Sequence, residues 1–380
     1  MAQVLRVGFV GFGFIGKVHA YCHMNMPLFY DPPPVKTTLA GVCTSRPETA
    51  RQAKERFGFD IATNDFRDIT ENPDIEVVHI TSPNLFHREQ LLSAMAAGKH
   101  VYCEKPLTAD LEQAREIEGA LPDYVGTHQM CLQNRFFPAT LRAKQLVEEG
   151  FLGQVLSFRA AYLHSGSADP DAPLKWKLDR AMGGGVLFDL GSHVIDLVRH
   201  LCGEFGEVLM ESSIAYPERP SVGDPSRKVT VAAEDLAVLL VRTARGALGT
   251  IEASKVATGT EDELRIEVHG SEGALRFNSM QPNYLEVYTR TDPEEPIGGT
   301  RGWKAIATVQ RYPKPASFPG PKFSVGWVRS HPACLHNFLS GIAEGRVPDP
   351  GLEVGVRLQE IMAAAQHSRD TRSWVDCSPT

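Results

Sequence analysis

The feature that most constrains this chain is a glycine turn near its start, Gly11-Phe12-Gly13-Phe14-Ile15-Gly16, set between an apolar run (Val4–Val10) and a helical pattern (Ile15–Met26). Glycines at this spacing permit a tight turn, close backbone approach to a pyrophosphate and close helix packing, while the helix N-terminus offers amide donors. Alone the hexapeptide is weak; its surroundings give it weight. Val35–Cys43, Ile75–Ile80, Val101–Cys103 and Tyr124–Thr127 read as strands, alternating with helical segments Pro47–Phe57, Leu85–Ala97 and Ala109–Ala120. Connections this short and regular imply right-handed strand–helix–strand units. Residues 1–129 are therefore expected to form a doubly wound parallel sheet of the Rossmann type that binds a dinucleotide. Gly11, Gly13, Phe14, Ile15 and Gly16 are its first candidate contacts.

The pattern changes near Met130. A helix (Ala139–Glu149) leads into longer strands at Gly153–Leu163, Glu207–Ala215, Glu234–Arg242, Gly246–Ser254, Leu264–His269 and Ala274–Asn278. Hairpin-like turns at Ala244-Arg245-Gly246 and Gly270-Ser271-Glu272-Gly273 speak for antiparallel pairing. Residues 130–380 thus read as an α+β domain on a large, mainly antiparallel open sheet, for substrate binding and oligomerisation. Residues 291–326, dense in Pro and Gly, read as an irregular excursion. Helices near Pro332–Glu344 and Leu352–Ser368 close the chain, and are candidates to pack back on the first domain.

A chain of 380 residues with 42% hydrophobic and 22% charged content has enough apolar material for two cores. Its formal charge of -7, with no basic cluster, argues against nucleic-acid or anionic-membrane partners. Met1 to Gly8 runs straight into a strand, unlike a signal peptide, and no apolar run approaches the ~20 residues of a membrane span. Seven cysteines stand singly, without CxxC spacing, which suits a reducing, cytoplasmic compartment. His19 and His23 have the i, i+4 spacing of a two-histidine metal site, but the Glu of HExxH is missing; they read as helix-surface or cofactor-facing, and no metal is expected.

In a doubly wound sheet, ligands bind beyond the carboxyl ends of the strands. The second strand would end in an acid if NAD were strictly preferred; here Thr44-Ser45-Arg46 stands instead. Hydroxyls and a guanidinium accept a 2′-phosphate, while Arg46 facing solvent is an equal alternative, so NAD and NADP both stay open. Ser82, Asn84 and His87 follow another strand, with His87 placed to approach the nicotinamide. Glu104-Lys105-Pro106 follows the next. Restricted backbone before Pro106 would aim the Lys105 ammonium at a substrate oxygen and stabilise its negative charge; a solvent-facing lysine is the alternative.

The second polar cluster lies in Gly183-Gly184-Gly185-Val186-Leu187-Phe188-Asp189-Leu190-Gly191-Ser192-His193-Val194-Ile195-Asp196. On a helix, Leu187, Leu190, Val194, Leu197 and Leu201 form an apolar stripe, and Asp189, His193, Asp196 and His200 a polar one about 100° round from it. Asp189 and His193 at i, i+4 would touch, the carboxylate orienting the imidazole. Such a stripe is either a solvated face or a site; three preceding glycines let another chain or a ligand come close.

Taken in order, GFGFIGKVHA, SPNLFH, GKHVYCEKP, QNRFFPA, GGGVLFDLGSHVIDL and SWVDC resemble the Gfo/Idh/MocA family of oxidoreductases, which includes glucose–fructose oxidoreductase and inositol dehydrogenase. AYLHSGSADPDAPLKWKLD looks closest to the levoglucosan-dehydrogenase-like members. The resemblance implies that Lys105 is the family's EKP lysine and that Asp189 and His193 are its DxxxH pair. It implies cofactor contacts from Asn134 and Trp176, substrate contacts from Arg135, a cis peptide before Pro106, and homodimers or homotetramers formed through the open sheet face. The family often has Arg after the tryptophan; Lys177 here puts a contact at that position in doubt. Specificity is expected in loops such as His164–Leu174, with His164 a candidate substrate contact.

The expected reaction is hydride transfer between NAD(P) and a hydroxyl-bearing carbon of a sugar, glycoside or cyclitol. His193 serves as general base, Lys105 stabilises the oxygen or relays the proton, and Asp189 holds His193. Two alternatives stand beside it: a dinucleotide-binding sugar sensor without turnover, and a glycoside hydrolase or lyase using tightly bound NAD. The sequence does not choose among sugars.

Overall fold

The computed structural model describes residues 4–379, so Met1–Gln3 of the expected lead-in lie outside the described residues. The chain forms two compact units. One runs through Gln133 and takes in Tyr312–Gly320 and Val328–Gln359; the other comprises Asn134–Arg311, Pro321–Trp327 and the stretch from Glu360 onward.

The first unit contains six parallel strands: β1 (Val4–Val10), β2 (Lys36–Cys43), β3 (Ile61–Thr63), β4 (Val77–Ile80), β5 (His100–Cys103) and β6 (His128–Met130). Their spatial order is β3-β2-β1-β4-β5-β6, and every pairing is parallel. Helices α1 (Phe14–Phe29), α2 (Pro47–Phe57), α3 (Arg67–Thr70), α4 (His87–Ala96) and α5 (Leu111–Ala120) connect them. Strand order reverses between β1 and β4, which places the ligand crevice of such a sheet at their carboxyl ends. Local chemistry sets the boundaries of α2: Pro47 opens its first turn, and Gly58, with φ 78, closes it in the left-handed region. The strand expected at 124–127 lies a few residues later. Leu121–Asp123 is a single tight turn with Pro inside, and Tyr124 donates its hydroxyl to the Lys99 carbonyl, so pairing starts only at His128. β3 went unread because a three-residue run carries no periodicity.

The second unit holds α6 (Pro138–Glu148), β7 (Val155–His164), α7 (Ser192–Cys202), β8 (Phe205–Ser213) and a small ribbon of β9 (Glu218–Pro220) with β10 (Lys228–Thr230). There follow β11 (Leu236–Thr243), β12 (Leu248–Ser254), β13 (Asp262–Gly270), β14 (Gly273–Asn278), β15 (Tyr284–Thr289) and β16 (Lys304–Ala307). Back in the first unit, α8 (Ser330–Glu344) packs on α1; then come α9 (Leu352–Thr371) and the short β17 (Val375–Asp376). The large sheet runs β16-β15-β14-β13-β7-β12-β11-β8-β17, antiparallel except where β7 meets β12. Along β11, Ala237, Leu239 and Val241 are buried while Val238 and Leu240 face outward, the alternation of a sheet with one covered face. β16 falls inside the excursion expected to be irregular; four residues at a sheet edge owe their conformation to pairing with β15 rather than to local pattern. The helical run Arg180–Cys202 is long and apolar enough by composition to cross a bilayer, contrary to the sequence reading. Yet 78% of its most apolar window is buried inside the fold, which accounts for that apolarity.

Candidate active site

At the end of β1 Gly11 and Gly16 answer steric demands, and Gly13 stands open. Gly11 has φ +88, and a Cβ there would lie 2.5 Å from the Ser82 amide nitrogen. A Cβ on Gly16 would lie 2.9 Å from the Gly11 carbonyl, so the start of α1 can approach the turn only with glycine. Gly13 meets nothing within 4 Å, leaving its backbone open to a ligand at the N-terminus of a sixteen-residue helix. That open cradle fits a pyrophosphate. Thr81 locks the turn from the neighbouring strand, its hydroxyl donating to the Gly11 carbonyl at 2.5 Å. After β2, Thr44 is half-buried, with its hydroxyl on the Arg46 carbonyl at 2.8 Å, while Ser45 and Arg46 are exposed.

Four residues expected at a ligand or on a helix surface, His87, Glu104, His19 and His23, are instead internal supports. The His87 ring is fully buried: Nε2 lies 2.8 Å from the Ser82 carbonyl, and Nδ1 lies 3.1 and 3.2 Å from those of Pro106 and Leu107. It ties the segment after β4 to the segment after β5 and has no surface to offer a nicotinamide. Glu104 turns inward, one oxygen 3.0 Å from His19 Nε2 and the other accepting the Lys105 amide at 3.2 Å. Burial alone raises this carboxyl, but His19 outweighs it and holds the group at about 2. His19 and His23 are buried, neither helix-surface nor cofactor-facing. His19 Nδ1 meets His79 Nδ1 at 3.0 Å, His79 Nε2 meets His23 Nε2 at 2.8 Å, and His23 Nδ1 meets Thr37 at 3.0 Å. Burial lowers all three imidazoles, yet Cys131 and Glu104 bring His19 back up to about 9, and its charge helps hold His23 at about 3. One proton arrangement satisfies the chain, with His19 donating both ways and each ring passing a hydrogen towards Thr37. Of the other candidates in this unit, Ser82 donates to Gln90 at 2.6 Å, Asn84 is buried, and Lys105 is half-buried before a cis bond to Pro106.

In the second unit Gly184 and Gly185 admit the chain itself. A Cβ on Gly185, where φ is +124, would strike the Glu234 carboxylate at 2.5 Å, and one on Gly184 would strike the Trp176 carbonyl at 2.7 Å. Glu234 caps the helix start, accepting the Leu187 amide at 3.1 Å. Leu187–Gly191 is a π turn leading into α7, a departure that 3.6-residue reasoning does not foresee and one frequent at functional sites. Asp189 sits in this turn. The sequence pairs its carboxylate with His193; the structure sets two ammoniums against it, Lys177 at 3.0 Å and Lys255 at 3.0 Å. Lys177 is half exposed, whereas the Lys255 side chain is 8% exposed. His193 is buried with its ring 5.8 Å from that of Tyr162. The Tyr162 hydroxyl donates to Asp262 at 2.7 Å, and His164 Nε2 lies 3.6 Å from the same oxygen. Burial raises Asp262, but His164, Tyr162 and His193 together take its carboxyl below the usual range. Lys255, Tyr162 and Asp262 were missed by the sequence reading; a lysine at the end of an alternating strand is the only local hint.

Arg135, expected at the substrate, is engaged within the protein. Its guanidinium is buried and grips Asp196 bidentately, Nε to Oδ2 at 2.8 Å and Nη2 to Oδ1 at 2.5 Å. This pair also removes Asp196 from the solvated stripe expected on α7. Asn134 is buried with its Nδ2 lacking a hydrogen-bond partner, a donor directed at no protein acceptor. Trp176 is 37% exposed, with Lys177 5.9 Å from its ring.

Comparison with known proteins follows this division. The profile of the oxidoreductase family's NAD-binding Rossmann fold matches residues 5–123, and that of the family's C-terminal alpha/beta domain matches residues 144–377. Levoglucosan dehydrogenase of Pseudarthrobacter phenanthrenivorans is 35% identical over 387 aligned positions, covering 98% of each chain. A levoglucosan dehydrogenase solved with NADH superposes with a TM-score of 0.94 at 36% identity and complete coverage of both chains. Myo-inositol 2-dehydrogenase of Thermotoga maritima is 30% identical over 73% of this chain and 76% of its own. The chain belongs to the Gfo/Idh/MocA oxidoreductase family.

Proposed function

We propose that this protein is an NAD(P)-dependent dehydrogenase acting on a CH–OH group of a sugar, glycoside or cyclitol, with the anhydrosugar levoglucosan the first substrate to test. The observations that carry this reading are the open glycine cradle at the switch point of the first sheet and, in the second unit, the buried His193 and the lysine-clamped Asp189. Residues 1–129 hold the dinucleotide and residues 130–380 the substrate. Gly11, Gly13, Phe14, Ile15 and Gly16 receive the pyrophosphate, Thr44, Ser45 and Arg46 the ribose, and Ser82, Asn84, Asn134 and Trp176 complete the site. The bound nicotinamide supplies a hydride acceptor or donor. His193 removes the hydroxyl proton, and Lys105 stabilises the oxygen left behind. Asp189, held by Lys177 and Lys255, presents a fixed carboxylate to the substrate side of α7.

Two further placements belong to this reading. Val238, Leu240 and Leu248 expose apolar side chains on the outer face of the large sheet, supporting a homodimer or homotetramer assembled there. Seven buried cysteines, none in a disulfide, support the cytoplasm.

The test is a panel of sugars and cyclitols offered with NAD and NADP in parallel, read as absorbance of the reduced cofactor. His193→Ala should lower turnover by about 10²–10⁴-fold, the usual contribution of a positioned base, with dinucleotide affinity nearly unchanged. If His193→Ala and Lys105→Ala both retain full turnover, the assignment of roles fails.

A further inference from the structure

The chemistry above leaves unused a buried donor cluster in the first unit. His19 in α1, Cys131 just past β6 and His331 at the start of α8 come from three separate stretches of chain. One donor atom from each lies within 4.8 Å of the other two, and all three residues are buried. Glu104 lies outside that set but beside it, a fourth donor within reach: its Oε1 is 3.0 Å from His19 Nε2, and Cys131 Sγ is 3.6 Å from the same nitrogen. A tetrahedral zinc ion, with bonds of ~2.0–2.3 Å to nitrogen, oxygen and sulfur, holds its ligand atoms roughly 3.3–3.6 Å apart. The separations of His19 from Cys131 and from Glu104 already have this scale, and His331 would close on them from within 4.8 Å of His19 and Cys131.

We propose that His19, Cys131, His331 and Glu104 form a buried site for one thiophilic divalent cation of the zinc class, fastening α8 to α1 and to the end of β5. Four protein donors and no exposed position describe a structural site rather than a catalytic one. The surroundings match what a ligating imidazole and thiolate need. His79 takes the hydrogen of His19 Nδ1, which fixes the ring and turns Nε2 to the cluster. Tyr102 donates its hydroxyl to Cys131 Sγ at 3.4 Å, so sulfur already serves as an acceptor. His23, although spaced i, i+4 from His19, is not a ligand; its Nε2 is engaged by His79. On loading, the Nε2 proton of His19 and the thiol proton of Cys131 leave to solvent, and the ion takes their places.

The full-length protein, treated with a chelator and dialysed, is titrated with zinc and separately with cobalt. Wild type should take up one ion per chain, release two protons and unfold at higher temperature. The cobalt form should show tetrahedral d–d bands and a thiolate-to-cobalt charge-transfer band. Cys131→Ser should lose the charge-transfer band and weaken uptake by at least ~100-fold, the upper range for loss of even an outer-sphere partner. His331→Phe should weaken uptake while keeping that band at saturating cobalt. Folded wild type that takes up neither ion overturns the proposal, as does uptake unchanged in both variants. The readout needs no substrate, so a chain that oxidises no sugar still tests it.

Discussion

The two candidate regions, one in each unit, are built by different means. At the end of β1 the working parts are backbone: three glycines, one amide-bearing helix start and a threonine lock, all within a short stretch and its immediate neighbour strand. On α7 and the strands beneath it the working parts are side chains whose partners lie far along the chain, Asp189 with Lys255 and Tyr162 with Asp262. A backbone site is written in consecutive letters. A side-chain site is written in contacts, and its letters admit several pairings until the sheet register chooses one.

Arg135 gives that contrast its largest test. The sequence marks it for substrate, while the structure spends it on Asp196, with side-chain exposures of 4% and 3%. Removing one partner of a buried pair strands the other charge, typically at ~3–5 kcal/mol. Arg135→Ala should therefore lower unfolding free energy by about that amount, with much of it recovered in Arg135→Met/Asp196→Leu. Denaturant titration decides the matter: a variant of wild-type stability whose KM alone rises returns Arg135 to the substrate.

The two lysines on Asp189 come next. Lys255 is 8% exposed, and its charged hydrogen bond is worth ~1.5–3 kcal/mol, so Lys255→Met should reduce kcat/KM by roughly tenfold to a hundredfold. Lys177 is 50% exposed and solvent-screened; Lys177→Met should stay under ~1 kcal/mol, within about fivefold. Equal losses would mean that burial does not set the strength of this clamp.

Why the first half was readable and the second only partly so follows from these residues. Gly11 and Gly16 carry steric demands that hold wherever a strand turns into a helix over a parallel neighbour, and α2 is bounded by its own Pro47 and Gly58. The Asp189–His193 pairing was read from 3.6-residue spacing; the π turn at Leu187–Gly191, and the two lysines set against Asp189, are not in that spacing. His87, Glu104 and Arg135 were recognised as polar residues near strand ends or clefts, but spacing cannot say whether a side chain points out of a sheet or into it. Burial supplies that answer: His87 meets the carbonyls of Pro106 and Leu107 as well as nearby Ser82, and Glu104 meets the His19 imidazole, partners most of which are remote in sequence.

Within the backbone half, Gly11 and Gly13 separate two demands. Gly11→Ala places a Cβ 2.5 Å from backbone nitrogen at a positive φ, and a strained residue of this kind costs ~1–3 kcal/mol. Gly13→Ala meets no protein atom within 4 Å, so its stability should match wild type while its dinucleotide affinity falls. Thermal unfolding beside a fluorescence titration with NADH tells them apart; a Gly13→Ala variant that binds as wild type removes the cradle from the proposal.

The smallest expected effect probes a side-chain contact within the first unit. His128 ends a long-range link: its Nδ1 accepts the Leu352 amide at 3.0 Å, which requires that nitrogen to be unprotonated. Burial lowers the imidazole from 6.5 to about 4. Because the folded state binds this proton less readily than the unfolded one, the contribution is fully present above pH 6.5 and is lost as pH falls towards 4. One linked proton changes stability by at most ~1.4 kcal/mol per pH unit, so the loss at one unit below the unfolded value is at most that. His128→Asn, whose side-chain oxygen accepts without titrating, should flatten the decline of unfolding free energy between pH 6.5 and 4 relative to wild type. Parallel curves for the two proteins would show that the segment entering α9 is held by its apolar contacts and not by this hydrogen bond.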